Sequence, residues 1–230
     1  MNMPSTGTIT RYIAVKKPIE RLAEKFGSGL IEGTDVPVHS LAGLALKPLL
    51  DGRLRFIPER YAKTYQTWLE NLRDWPISRQ LWWGHRILVW SSENPPPSLD
   101  GEEAVVQKQT AEGGQIRYYV CTAAGAERLE RRLEEAGFVR DEDVLDTWFS
   151  SALWPFSTLG WPEATDELKA FYPTDVLCTA REIITLWVSR MVMMGQYCVG
   201  DIPFSDVYIH AMIQDGQGRK MSKSLGNGID

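Results

Sequence analysis

The chain has 230 residues, of which 43% are hydrophobic and 24% are charged, a composition typical of folded globular proteins that excludes wholesale disorder. Its formal net charge of −5 excludes a generic polyanion binder, which would be basic overall. The most apolar stretch, around residues 183–194, contains Arg190 and is shorter than the ~20 residues of a membrane span. Three separated cysteines and no signal-peptide pattern predict a cytoplasmic protein without disulfides.

Acidic residues are concentrated in the middle of the chain. Residues 91–180 contain 17 acidic and 7 basic side chains, whereas residues 1–90 contain 8 acidic and 13 basic ones. We interpret the acidic stretch as a solvated face. Binding to nucleic acid through a local basic strip stays open.

The first 90 residues show a regular pattern only after Pro58. We expect residues 1–50 to be irregular, because glycines and Pro37 interrupt them, with helix only from Ile19 to Phe26. From Pro58 to about Arg73, the spacing of the apolar residues predicts a helix with one buried face. That face consists of Tyr61, Tyr65, Trp68, Leu69 and Leu72.

Residues 91–145 have the pattern of a small insertion that combines strands with a helix. In this helix Leu129 and Leu133 would face inward, and Gly137 would end it. The elements predicted in and just before the insertion are a strand at 86–90, a loop at 101–113, a strand at 115–121 and a helix at 126–136.

The last third of the chain predicts a strand, a helix and a second strand, at residues 176–179, 183–194 and 207–213. The helix is apolar on nearly all sides, which is typical of a helix covered by a sheet and by other elements. Because such a unit has parallel strands, we assign the α/β class. Ligands of these sheets bind beyond the carboxyl ends of the strands, which here are residues 179–182 and 210–214.

A loop with two lysines follows the second strand. Residues 215–227, which we call the lysine loop, read Asp-Gly-Gln-Gly-Arg-Lys-Met-Ser-Lys-Ser-Leu-Gly-Asn. Such a loop can bring the ammonium groups of Lys220 and Lys223 onto an oligophosphate and stabilise charge that develops on it. For any two lysines taken alone, a solvated basic loop is the simpler interpretation.

Nine tryptophans are a high count, and five of them lie between residues 68 and 90. A tryptophan-rich core is the simpler explanation, and a pocket for a flat or apolar ligand is the alternative. These five residues are Trp68, Trp75, Trp82, Trp83 and Trp90.

Residues 220–224 read Lys-Met-Ser-Lys-Ser, which is the KMSKS signature of class I aminoacyl-tRNA synthetases. Two further segments, 74–87 and 143–162, resemble blocks of the valyl-tRNA synthetase family. The first includes a double tryptophan before Gly84, which points to valine among the related families. The chain is similar to this family over residues 51–230, and less so over residues 91–137.

The resemblance implies an α/β fold that comprises the second half of a class I Rossmann-type catalytic domain with a small α+β insertion. Residues 51–90 and 146–230 would form the half-domain, and residues 91–145 the connective insertion. Residues 1–50 would be an irregular segment, a remnant of an upstream connective region.

The resemblance also implies a reaction, in which ATP activates valine to valyl-adenylate and the valyl group is transferred to tRNA-Val. Mg²⁺ would accompany ATP as a counter-ion, and no protein-bound metal is expected. Lys220 and Lys223 would act on the triphosphate as catalytic residues. The residues expected to bind ATP are His210, Met212, Lys220, Met221, Ser222, Lys223 and Ser224, and those expected to line the amino-acid pocket are Trp83, Glu182, Ile183 and Trp187.

The chain departs from the family pattern in two ways. Ala180 and Glu182 stand where the family usually has glycine and aspartate, and Ala211 replaces a usual glycine. A HIGH-type motif, the editing domain and the anticodon-binding bundle are not found, so we expect this chain to be inactive alone. The alternatives are a non-catalytic paralogue that binds nucleotide, RNA or a partner chain, and a split enzyme whose other half supplies the missing N-terminal half of the catalytic domain.

Overall fold

The computed structural model describes residues 11–99, 101–110 and 113–228. The described chain forms two compact units. The larger unit consists of Tyr12–Trp75 and residues 148–228, and the smaller unit of Arg11 and Pro76–Thr147. The smaller unit contains the insertion expected at residues 91–145 and also includes residues 76–90.

The longer helices are α1 (Leu41–Leu50), α2 (Arg60–Glu70), α3 (Glu127–Glu135), α4 (Thr147–Ala152), α5 (Asp166–Phe171) and α6 (Ser189–Cys198). The longer strands are β1 (Arg55–Ile57), β2 (Val89–Ser92), β3 (Ala104–Thr110), β4 (Ile116–Thr122), β5 (Thr174–Ala180) and β6 (Phe204–His210). The short helical turns are Glu20–Leu22, Ala23–Phe26, Trp154–Ser157, Arg181–Ile183 and Ile184–Val188, and the short strands are Tyr12–Ile13, Trp75–Pro76, Ser78–Arg79, Val139–Arg140 and Val144–Leu145. Over the described ranges, the helices are too short or too polar to cross a membrane.

The sheet of the larger unit has three parallel strands in the order β5–β6–β1. Leu177 pairs with Val207, and Val207 pairs with Phe56, so three buried side chains line up on the inner face. Between β5 and β6 the chain passes through two helical turns and α6, which packs on this face as part of the core. The predicted strand–helix–strand order and the α/β class are therefore confirmed. The second strand was placed too late, since it begins at Phe204 and ends at His210 rather than at residue 213.

Helix α1 lies within the segment expected to be irregular, and that expectation is wrong at residues 41–50. Ser40 caps the helix, because its Oγ accepts a hydrogen bond from Gly43 N at 3.1 Å. Gly43 is needed for close packing, since a Cβ there would lie 2.0 Å from Pro37 O. Pro48 has no N–H group, so it cannot donate the helical hydrogen bond to Leu44 O. This carbonyl accepts a hydrogen bond from Gln196 Nε2 instead.

Helix α2 confirms the helix predicted after Pro58, although it ends at Glu70. Tyr65 is fully buried, and its hydroxyl donates to Ala45 O at 2.9 Å, which connects α2 to α1. Burial raises the pKa of Tyr65, so the hydroxyl stays protonated as a donor. Leu69 is also fully buried, as the predicted apolar face requires.

The outer face of the three-stranded sheet is exposed within the described chain. Val176, Tyr208 and Ile57 alternate with the buried residues of β5, β6 and β1, and they are 57%, 48% and 45% exposed. Parallel sheets are normally covered on both faces. This face also carries the ion pair of Arg55 with Asp206, so it combines exposed apolar side chains with one charged pair.

The smaller unit contains an antiparallel sheet in which the neighbouring strands are β3, β4, β2 and Val139–Arg140. Helix α3 covers one face of this sheet and buries Leu129 and Leu133 completely against Trp90 and Val120. Gly137, with φ of +81°, follows the C-cap of α3. The predicted helix, its inward face and its glycine are confirmed.

Two strands of the smaller unit differ from the prediction. Strand β3 occupies residues 104–110, where we expected a loop. Its side chains are almost all exposed, Val105 and Val106 included, so no alternation of buried and exposed residues marks it. It pairs with β4 along its full length, from Ala104–Thr122 to Thr110–Ile116. Strand β2 begins at Val89 rather than at Arg86.

Candidate functional site

The site begins where β5 and β6 end side by side. Ala180 pairs with His210 in the parallel register, so the two carboxyl ends lie at one edge of the sheet. This edge is the place where parallel sheets bind ligands. His210 is exposed there, and its Nδ1 donates to Ala211 O at 2.9 Å.

The lysine loop starts as a hairpin, because Gln214 forms an antiparallel bridge with Lys220. Asp215 holds the turn together. Its Oδ1 accepts from the backbone N–H groups of Gln217 and Arg219, both at 2.9 Å, and its Oδ2 accepts from Arg219 Nε at 2.8 Å. The hydrogen bond from Asn227 and those from Arg219 and Gln217 lower the pKa of Asp215 to about 2.

Asn227 closes the lysine loop from its other end. Its Nδ2 donates to Asp215 Oδ2 at 2.9 Å and to Lys220 O at 3.2 Å, and its Oδ1 accepts from Ser222 N at 2.9 Å. The KMSKS segment is therefore held between an aspartate and an asparagine. No role was predicted for these two residues, although Asp-Gly at residues 215–216 is a turn signal.

The middle of the lysine loop is a tight turn. The backbone N–H groups of Leu225 and Gly226 donate to Ser222 O at 3.2 Å and 3.1 Å, and Ser222 Oγ lies 3.1 Å from Ser224 Oγ. Lys223 points into solvent, and within the described ranges its ammonium has no hydrogen-bond partner. Met212 and Met221 are half-buried.

An ion pair connects the lysine loop to the end of β5. Lys220 Nζ donates to Glu182 Oε1, and Glu182 lies in the helical turn Arg181–Ile183. We assigned Lys220 to the triphosphate of ATP and Glu182 to the amino acid. In this structure the two side chains pair with each other.

Trp187 forms a fixed apolar surface in the π-helical turn Ile184–Val188. Its Nε1 donates to Ser151 O at 3.0 Å, and its ring packs against Trp154 with centroids 5.7 Å apart. A π-helical turn often marks a functional position in a helix. Ile183, which precedes this turn, is half-buried like Trp187.

Trp83 belongs to the smaller unit, where it is 89% exposed beside Trp82 at 84%. Its assignment to the amino-acid pocket stays a prediction. Among the clustered tryptophans, Trp75 and Trp90 are buried. The tryptophan excess is therefore divided between core and surface.

The sequence matches the family model of class I tRNA synthetases for isoleucine, leucine, methionine and valine over residues 36–230. The chain therefore belongs to the class I tRNA synthetase family. The match begins before residue 51, where the motif resemblance starts.

Two curated relatives are named valine--tRNA ligase. The one from Clostridium acetobutylicum is 49% identical over 195 residues, and the one from Thermotoga maritima is 51% identical over 195 residues. Each alignment covers 85% of this chain and 20% of the relative. The chain thus spans about a fifth of the length of the curated relatives that it matches.

A solved structure shows the same fold. Mycobacterium tuberculosis methionyl-tRNA synthetase bound by methionyl-adenylate is 15% identical, with a TM-score of 0.51. The similarity covers 89% of this chain and 33% of that one. The Rossmann-type class I catalytic fold is therefore confirmed.

Proposed function

We propose that this chain supplies the triphosphate-binding loop and part of the amino-acid pocket of a valine-activating enzyme. That enzyme would form valyl-adenylate from valine and ATP and then transfer the valyl group to tRNA-Val. The observation that carries the proposal is the contact of Lys220 with Glu182, which brings the lysine loop to the edge at which parallel sheets bind ligands. The names of relatives that are about half identical support valine as the amino acid.

Lys223 and Lys220 are the cationic groups available to the triphosphate. Lys223 is exposed and free within the described ranges, which supports it as the stronger contact. Ammonium groups placed on a phosphate stabilise the charge that develops on departing pyrophosphate, and the protein need not transfer a proton. Mg²⁺ would enter as the counter-ion of ATP, and His210 with Met212 would lie on the adenine side.

Trp187 and Ile183 would give the valine side chain a rigid apolar wall. The hydrogen bond to Ser151 and the packing against Trp154 hold the indole in one orientation, which supports steric rejection of larger side chains. One methylene in such a slot is worth only ~1–3 kcal/mol, and an isostere that carries a hydroxyl is rejected poorly. Threonine would therefore be the competitor that this pocket discriminates least.

The exposed outer face of the sheet supports a need for further protein in the active enzyme. Val176, Tyr208 and Ile57 are exposed apolar residues on a type of sheet that is normally covered on both sides. The covering layer would come from the rest of a longer chain or from a separate chain in a split enzyme. Three free cysteines support a reducing, cytoplasmic setting.

A chimera tests the proposed function. Residues 36–230 of this chain replace the matching segment of the Thermotoga maritima valine--tRNA ligase, and valine-dependent ATP–pyrophosphate exchange is measured. We expect exchange well above the level without valine. A chimera that folds and binds tRNA but shows no exchange would contradict the proposal. That result would favour a non-catalytic paralogue, since Ala180 and Glu182 stand where the family usually has glycine and aspartate.

A further inference from the structure

Glu182 is paired with Lys220 although each group has another expected partner. The two residues are 38 positions apart, and the parallel strands β5 and β6 bring them together. Their side chains are 35% and 63% exposed, so small ligands can reach both. The ion pair is therefore open to competition from charged ligands.

The two expected ligands carry the opposite charges. An amino acid presents an α-ammonium, which is a partner for the Glu182 carboxylate, and ATP presents a triphosphate, which is a partner for the Lys220 ammonium. While Glu182 and Lys220 are paired, neither group is fully available to its ligand. Binding of one ligand therefore releases the group that the other ligand needs.

We propose that Glu182 is a positioning residue that holds Lys220 off the triphosphate until an α-ammonium takes its carboxylate. This inference rests on the proposed function, because it requires both ligands to bind at this edge of the sheet. Lys223 is not held in this way, so a triphosphate first contacts Lys223 and gains Lys220 when the amino acid is present.

The coupling must be reciprocal, since each ligand raises the affinity of the other by the same factor. Exposed ion pairs are weak, so we expect a factor of about two to five. Glu182→Gln removes the carboxylate and should abolish the coupling. Glu182→Asp keeps the charge but is one methylene shorter, so it should weaken the contact with Lys220.

Limited tryptic cleavage after Lys220, followed by mass spectrometry on the full chain, tests the contact without requiring any activity. Trypsin must bind the free Lys220 ammonium, so cleavage should be about two- to five-fold faster in Glu182→Gln than in the wild type. Asp166→Asn is the matched control, because it removes the carboxylate of another exposed lysine ion pair, with Lys169. Circular dichroism verifies that each variant is folded.

Calorimetric titration with inorganic tripolyphosphate tests the coupling, which a merely structural role would not produce. L-valine should raise the wild-type affinity for tripolyphosphate about two- to five-fold, whereas 2-hydroxy-3-methylbutanoate, which lacks the ammonium, should not. Glu182→Gln should show no response to L-valine.

Equal cleavage rates in the wild type and Glu182→Gln would overturn the inference, and so would a wild-type affinity that L-valine leaves unchanged. Measuring both the coupling in the chain and the activity of the chimera distinguishes a failure of this inference from a failure of the proposed function. Coupling in the chain together with an inactive chimera would refute only the proposed function. An active chimera with no coupling in the chain would refute only the role of Glu182.

Discussion

Asn227 Nδ2 lies 2.9 Å from Asp215 Oδ2, so a hydrogen bond joins the two ends of the lysine loop. The same asparagine also binds Lys220 O and Ser222 N. The backbone that carries the lysines is therefore fixed by one amide side chain and one carboxylate.

Asn227→Ala should loosen the lysine loop without unfolding the larger unit. The substitution removes the hydrogen-bond acceptor of Ser222 N, and we expect hydrogen exchange at this amide to become several-fold faster. Because the loop is exposed, the free energy of unfolding should change by less than about 1 kcal/mol. Asn71→Ala is the control, since it removes a comparable bond to Thr67 O at the end of α2. Unchanged exchange at Ser222 would show that Asn227 does not fix the loop.

The order of the lysine loop should depend on pH through Asp215. Its pKa is lowered from 3.8 to about 2, so its hydrogen bonds favour the folded loop above about pH 4. This contribution is lost as the pH falls through about 2. NMR titration of the Asp215 carboxyl should give a midpoint near 2, and in Asn227→Ala the midpoint should move towards 3.8. A midpoint near 3.8 in the wild type would contradict the hydrogen bonding described here.

Gly43→Ala should destabilise the larger unit. The added Cβ would meet Pro37 O at 2.0 Å and Val38 O at 2.6 Å, and these backbone atoms cannot move without shifting the cap of α1. Overpacking of this kind costs about 1–3 kcal/mol, which urea unfolding can measure. Gly228→Ala is the control, because a Cβ there meets no atom within 4 Å. Equal stability of the two variants would show that α1 does not pack as described.

Trp187→Phe should weaken valine binding in the chimera. Phenylalanine keeps an aromatic surface but loses the hydrogen bond to Ser151 O, so the wall is less firmly oriented. One such bond is worth about 1 kcal/mol, which corresponds to a KM for valine raised about five-fold with a smaller change in kcat. Trp161→Phe, which alters a tryptophan packed against Phe156, is the control. If the KM for valine of the Trp187→Phe chimera equals that of the control, Trp187 is not part of the valine pocket.

The purified chain alone should show no valine-dependent ATP–pyrophosphate exchange. The apolar outer face of its sheet is exposed at Val176 and Tyr208, and a parallel sheet needs a second covering layer. The exchange assay with ATP, Mg²⁺ and L-valine tests this prediction, and the active chimera is its positive control. Exchange by the chain alone would show that the described residues already contain a working site.

The spacing of apolar residues along the sequence predicted those helices and strands that bury an apolar face. The face of α2 and the inward leucines of α3 repeat at helical spacing, and Val176 to Thr179 is a short apolar strand, so these elements were found. Helix α1 was missed because glycines, among them Gly43, and Pro37 indicate interruptions of any regular element. In the structure Gly43 lets the Pro37 carbonyl approach α1 closely, and Gln196 Nε2 donates to the Leu44 carbonyl that Pro48 leaves unpaired in the helix.

The lysine loop was found from its motif, but its contacts were not. Lys220 and Glu182 are 38 residues apart, and they meet because β5 and β6 are parallel neighbours and the hairpin bridge of Gln214 with Lys220 folds the loop back. Strand β3 was missed for a similar reason, since its apolar residues come together at its start instead of alternating with polar ones, and its order comes from pairing with β4. Contacts between distant segments therefore required the structure.

The most direct test of the central claim, that the lysine loop acts on the triphosphate, is ATP–pyrophosphate exchange by the chimera with Lys223→Ala. Loss of one group that stabilises developing charge costs about 10²–10³ in rate, so we predict a kcat lowered by that factor. Lys108→Ala, which removes an exposed lysine of β3, should leave kcat unchanged. A Lys223→Ala chimera as active as the Lys108→Ala control would contradict the account.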